Sequence, residues 1–307
     1  MPKPSPGAQP EAAIVAAPPL GRLHDVRGRR LMLHRSGTGG PAAVFLPGAG
    51  LVGLDYLNIH DRVAELTTSV LYDRAGTGWS EQAELPRTAA EVTDELLDLL
   101  RAADVPAPYV LIGHSLGGAY ARHFARRFPD EVAGLLLLDP FHEDLVAQAP
   151  EEARQMLEGM KNPQLPELTE EQIERARGPI AEQFATWPET VRLALVEHHL
   201  ASWRTGWYEG RNLYDEVAGE LRHAPELPDV PLIVLTAAGH DPTQAQLWPE
   251  HLLREINEVK HALHAKLAAS VPRGEHRVLD DAGHGWIHEE RPDAVLQAVA
   301  DLLARPH

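Results

Sequence analysis

Ser115 stands in Gly113-His114-Ser115-Leu116-Gly117, directly after the apolar run Val110-Leu111-Ile112 and before Ala119 to Ala125, a stretch able to form a helix. A serine flanked by glycines where a strand turns sharply into a helix is a nucleophile elbow: neighbouring backbone passes close by and the hydroxyl is presented at the tip of a strained turn. The helix that follows aims unpaired N–H groups and the positive end of its dipole at the reacting centre. A serine hydroxyl is a weak nucleophile until an adjacent base takes its proton. Of the 17 histidines, His284 is the favoured base. It lies in a glycine-flanked loop, Gly283-His284-Gly285, after the last expected strand, whereas His198, His199, His261 and His264 fall on helical stretches and need no catalytic role. His288 follows one turn later and is a weaker candidate, and His114 adjoins the serine but should point away from its hydroxyl.

Two aspartates could orient that base, because each follows a strand. Asp241 is preferred, in Gly239-His240-Asp241-Pro242 after the penultimate strand; Asp139, at the end of Leu135 to Leu138, is the alternative. Glu143 and Asp144 are outside candidates. The acid would fix the imidazole tautomer and stabilise the imidazolium without taking the proton. With no H-E-x-x-H or comparable ligand spacing and no cysteine, neither a metal nor another cofactor is expected.

These groups need a scaffold, and the chain reads as one. Expected strands at 22–26, 30–34, 42–46, 69–72, 110–112, 132–138, 232–236 and 276–279 alternate with helical segments, which implies parallel pairing through crossover connections. Thr88 to Ala103 is an amphipathic helix with a capping box of Thr88 and Glu91. Residues 1–20 read as a flexible Pro- and Ala-rich tail, 21–140 and 228–307 as the core, and 141–227 as a helical insertion. The proline-rich patches at 163–166 and 225–231 look like hinges or boundaries.

A net charge of −17 disfavours nucleic acid and anionic membrane surfaces as partners. No apolar run approaches the roughly 20 residues that a membrane helix needs. The run Ala12 to Ala17 is too short for a secretory signal, so a cytoplasmic location is the default expectation.

Taken in order, Leu46-Pro47-Gly48-Ala49-Gly50, Asp73-Arg74-x-Gly-x-Gly-x-Ser80, the elbow, an acid after a later strand and Gly283-His284 resemble the α/β-hydrolase fold family, in particular its cap-bearing serine hydrolases. The resemblance covers about Gly21 to Arg305 and implies a mostly parallel eight-stranded sheet flanked by helices, with the insertion as a cap. One departure is Pro47, where the family commonly has histidine. The resemblance further implies an oxyanion hole formed by the backbone N–H groups of Leu116 and Ala49, with Gly50 the competitor for the second position. It reads the Asp73 to Ser80 loop as a structural turn in which Asp73 and Arg74 make local hydrogen bonds.

The expected activity is hydrolysis of a carboxylic ester or lactone through an acyl-enzyme, on a small apolar or aromatic substrate. Alternatives are a carbon–carbon bond hydrolase with the same triad and a non-catalytic ligand-binding member of the fold. Pocket candidates are Gly48, Leu51, His114, Phe141, His142, Trp187, Trp203 and Trp207, although aromatics of an insertion also pack its helices together; Met156 and Met160 belong to the same group. Homodimer formation is left open as an expectation.

Overall fold

The central strands are buried on both faces because their sequences are apolar without alternation. β3 (Ala42–Leu46), β5 (Tyr109–His114) and β6 (Val132–Leu138) are buried at every position, as parallel strands covered by helices on both sides require. The computed structural model describes residues 17–159, 165, 167–241, 244–245 and 248–305. The expected tail therefore lies outside the described residues as far as position 16, and so do Met160, Pro163 and Pro166.

Eight strands form one sheet in the order β1-β2-β4-β3-β5-β6-β7-β8, with β1 (Arg22–Val26), β2 (Arg29–Ser36), β4 (Ser69–Tyr72), β7 (Leu232–Ala237) and β8 (Gly274–Leu279) completing it. β1 with β2 and β2 with β4 are antiparallel; every other pairing is parallel. Successive side chains point to opposite faces of a strand, so each strand feeds two cores. Ala42, Val44, Leu46, Leu111, Leu135 and Leu137 join the layer containing Leu96, Leu100, Tyr120 and Phe124. Ala43, Phe45, Val110, Ile112, Leu136 and Leu138 join the layer containing Ile59, Val63, Val295 and Leu302.

Helix α1 (Leu57–Val63) follows a short 3₁₀ turn, α2 (Ala89–Ala102) begins at the capping box of Thr88 and Glu91, and α3 (Leu116–Arg127) follows the elbow. Between β6 and β7 the described residues hold helices and no strand: α4 (Leu145–Gln148), α5 (Glu151–Gly159), α6 (Glu170–Glu174), α7 (Arg177–Gln183), α8 (Glu189–Ala201), α9 (Thr205–Gly210) and α10 (Ala218–His223). This insertion packs on the body through Phe184, Trp187, Val191 and Leu195 on one side and Val217, Ala218 and Leu221 on the other. The long α11 (Glu250–Ala268) lies between β7 and β8, and α12 (Ile287–Glu290) and α13 (Pro292–Ala304) end the chain. Among the described residues, no helix is long and apolar enough to cross a membrane.

Candidate active site

The elbow forms at the C-terminal end of β5. Ser115 adopts φ 51° and ψ −117°, a backbone region that costs of order 1–3 kcal/mol for a residue with a side chain and persists only where its surroundings impose it. The flanking glycines are what allow those surroundings to close in. A Cβ on Gly113 would lie 2.6 Å from the carbonyl oxygen of Gly117, and one on Gly117 would lie 1.9 Å from that of Leu46. The Ser115 N–H donates to the carbonyl of Leu138 at 3.1 Å, which fixes the turn to the end of β6.

Ser115 Oγ lies 3.0 Å from Nε2 of His284, and Nδ1 of the same ring lies 2.6 Å from Oδ2 of Asp139. An ionised carboxylate can only accept, so Nδ1 carries the hydrogen and Nε2 presents its lone pair to the serine hydroxyl. Burial alone would raise the pKa of Asp139. The Lys260 ammonium and the hydrogen bond from His284 outweigh it and hold the carboxyl well below the usual range.

It is Asp139, the alternative of the two aspartates, that the structure brings to the ring. Asp241 accepts from the N–H of Gln244 through Oδ1 and from the N–H of Gly285 through Oδ2, both at 2.9 Å. It braces the loop that carries His284, whereas Asp139 meets the ring. Asp139 can do so because it leaves β6 with φ 43°, a left-handed conformation that aspartate tolerates better than most residues. Its N–H remains tied to Leu235 O at 2.7 Å, and its Oδ1 accepts from Ala237 N at 3.0 Å. Both aspartates follow a strand, Asp139 directly after β6 and Asp241 on the loop after β7; the backbone turn at Asp139 leaves no local signature.

The second loop is the turn after β3, and its groups are held one by one. Gly48 N donates to Tyr56 Oη at 3.2 Å, Leu51 N to Gly48 O at 3.3 Å, and Gly50 N to Glu209 Oε2 at 2.7 Å. Gly50 is thus removed as a donor to a substrate. Ala49 N–H is the amide of this turn not engaged by a described residue. Arg74 donates to Pro47 O at 2.7 Å and to Gly48 O at 2.9 Å, and pairs with Glu209 Oε1 at 2.8 Å. Arg74 and Glu209 are both buried.

Within the Asp73 to Ser80 loop, Asp73 accepts from Trp79 N, as it does from the more distant Gly53 N, and the Arg74 carbonyl accepts from Thr77 N and Oγ1, while the side chain of Arg74 reaches further. Its guanidinium crosses to the oxyanion turn and to the insertion, a fork geometry well matched to a carboxylate and two carbonyls.

His114 is buried and bridges the two loops. Its Nε2 donates to the carbonyl of His284 at 2.8 Å, so Nδ1 accepts from Tyr56 Oη at 2.7 Å. Burial in the first place holds its pKa down to about 3, so the ring stays neutral. A continuous chain runs from Gly48 N–H through Tyr56 and His114 to the backbone of His284.

A cavity of about 320 Å³ opens beside the turn, lined by Ala49, Gly50, Leu51, His199, Ser202, Trp203, Gly206 and Trp207. Of the pocket candidates, Leu51, Trp203 and Trp207 line it and Gly48, His114, Phe141, His142 and Trp187 do not. Gly48 is enclosed in the turn, where a Cβ would lie 3.2 Å from His114 Nδ1. Trp187 donates to Leu54 O at 2.9 Å and packs edge-on against Phe184. Phe141 packs against Tyr214, and His142 lies beside Glu143 at 3.5 Å.

Glu209, Lys260, Tyr56 and His199 were not singled out from the sequence. Each is an ordinary polar residue on or beside a helix, and only its long-range partner gives it meaning. His199 pairs with the buried Asp55 at 2.9 Å; burial opposes its charge, but the Asp55 carboxylate raises its pKa.

Sheet order, elbow, facing imidazole and oxyanion turn together define a hydrolase scaffold. The alpha/beta hydrolase family matches residues 43–298, and the chain belongs to that family. Among curated relatives, the uncharacterized protein YqjL of Bacillus subtilis is 30% identical over 198 residues, which is 58% of this chain and 78% of YqjL. Among solved structures, a thermophilic esterase from Thermogutta terrifontis superposes with a TM-score of 0.62 at 21% identity, covering 92% of this chain and 97% of that one. The enol-lactonase of Burkholderia xenovorans LB400 gives 0.62 at 19% identity, covering 92% and 100%. At these identities the structural likeness speaks for the fold alone.

Proposed function

We propose that the protein is a serine hydrolase that cleaves carboxylic ester or lactone bonds through an acyl-enzyme, with Ser115 as nucleophile, His284 as base and Asp139 as orienting acid. The observation that carries this reading is the unbroken line of hydroxyl, imidazole and carboxylate at 3.0 and 2.6 Å. Ser115 Oγ attacks the carbonyl carbon while its proton passes to His284 Nε2. Negative charge develops on the carbonyl oxygen, which accepts from Leu116 N–H and Ala49 N–H. The imidazolium then returns its proton to the departing alkoxide, leaving an ester on Ser115. Water, deprotonated by the same ring, releases the acid and restores the serine. Leu51, Trp203 and Trp207 support an apolar or aromatic group on the substrate.

The test is labelling with a fluorophosphonate probe, which modifies an activated serine. The expected result is one label per chain that is lost in Ser115→Ala. An unlabelled wild-type protein would favour the ligand-binding alternative. Turnover of a panel of p-nitrophenyl esters, lactones and aryl-ketone substrates then separates ester, lactone and carbon–carbon cleavage.

A further inference from the structure

The acid of the catalytic line has a second partner that the reaction as written does not use. Lys260, on α11, donates to Asp139 Oδ2 at 2.9 Å and to Ala237 O at 2.9 Å. Oδ2 is the same oxygen that accepts from His284. The Asp139 side chain is fully buried and that of Lys260 is only 13% exposed, so solvent screens this contact much less than a surface pair. Lys260 is one of four lysines among 28 basic side chains in the chain. A lysine supplies a compact point charge to one oxygen.

Building on the serine hydrolase reading, we propose that Lys260 is a positioning residue: it locks the Asp139 carboxylate toward His284 and offsets its charge, which keeps Ser115 reactive to lower pH than an unpaired aspartate would. In a Ser-His-Asp line the carboxylate stabilises the imidazolium. An ammonium on the same oxygen removes part of that stabilisation, because a like charge nearby disfavours the charged form of the ring.

Other groups face the pair. From α11, His264 Nδ1 lies 3.8 Å from Asp139 Oδ1, while its Nε2 donates to Pro140 O and its Nδ1 accepts from Thr236 on β7, which also meets His276 of β8. From β5, the His114 ring lies 5.3 Å from that of His284, and His288 of α12 stands behind it. Against the His284 loop, Asp241 from the loop after β7 and Glu290 from α12 accept from the amides of Gly285 and Gly283. Burial foremost holds His114 and His264 to about 3 and His288 to about 4, so these three stay neutral through the window in which an acid limb is read.

The experiment measures the rate of fluorophosphonate labelling of Ser115 against pH in the full chain, for wild type, Lys260→Met, Lys260→Gln and Lys260→Arg. The acid limb should move up by on the order of one pH unit in the Met and Gln variants, which lack the charge, and stay near wild type in Lys260→Arg. Labelling of every variant with an unmoved midpoint, whatever happens to the plateau rate, would overturn the proposal and leave the hydrolase reading intact. A wild-type protein that takes no label at any pH overturns that reading instead. Should the Met variant fail to fold, the Gln variant retains hydrogen-bond donors in place of the ammonium. The titration of the His284 ring protons followed by NMR in Ser115→Ala, with and without Lys260→Gln, gives a readout that needs no activity. An unchanged midpoint there would also defeat the proposal.

Discussion

The two ends of the site are each held by one buried ion pair, but from different parts of the molecule. At the acid end, Asp139 is fixed by Ala237 N from β7 and by Lys260 from α11, both elements of the sheet and its flanking layer. At the oxyanion end, the turn after β3 is fixed by Arg74 and by Glu209 of α9, which belongs to the insertion. The partners of Asp139 thus come from the core, whereas the turn that carries Ala49 N–H is held in part by the insertion. Gly206 makes the same joint at the backbone level: a Cβ there would lie 3.2 Å from Gly50 Cα.

The strongest way to break this comparison is at the acid. Asp139→Asn would leave His284 with the wrong tautomer facing Ser115, and turnover is expected to fall by about 10⁴-fold. Asp241→Asn keeps an oxygen for the N–H of Gly285 and should cost no more than about tenfold. Parallel kcat measurements on the ester panel decide it; a larger loss in the Asp241 variant would return the role to that residue. Glu209→Gln comes next. It retains an acceptor for Gly50 N but leaves the buried Arg74 guanidinium without its counter-charge. Loosening the turn that carries Ala49 N–H should lower kcat by about 10- to 100-fold, below or near the loss seen when an oxyanion donor is removed outright. The fall is expected in kcat rather than KM, with the far-ultraviolet spectrum unchanged.

How far these ends could be read from residues alone follows the same division. The elbow, the strands and the β-end loops are local features: Gly113 to Gly117, the apolar run of β6 and Gly283-His284 each announce themselves within a few positions. The family, the eight-stranded sheet and its mixed pairing follow from them. What spans the chain does not. Glu209 lies 159 positions from Gly50 and Lys260 lies 121 from Asp139, and nothing in the composition of α9 or α11 marks the residue that turns inward. The two aspartates are alike in strand order, and what sets them apart, a positive φ at Asp139 and the amides that engage Asp241, is not written in the residues around them.

The smallest expected effect concerns pH. The acid end is surrounded by buried neutral imidazoles, His114, His264 and His288, while the oxyanion end rests on a permanently charged arginine. Burial holds the native pKa of His264 to about 3 against an ordinary 6.5, so below 6.5 the unfolded chain binds a proton there that the native state refuses. Stability from this site is fully present above about pH 6.5 and is lost as pH falls toward 3, with a slope of about 1.4 kcal/mol per pH unit for each such histidine. His264→Gln should therefore lower overall stability at neutral pH, through the lost bonds to Thr236 and Pro140, yet flatten the dependence of the urea midpoint between pH 6 and 4. In wild type, protection against hydrogen exchange at the Asp139 and Pro140-flanking amides and the His284 loop should fall on acidification before protection at Gly48 to Leu51 does. The reverse order would mean that the insertion, and not the histidine cluster, is the first part of the site to let go.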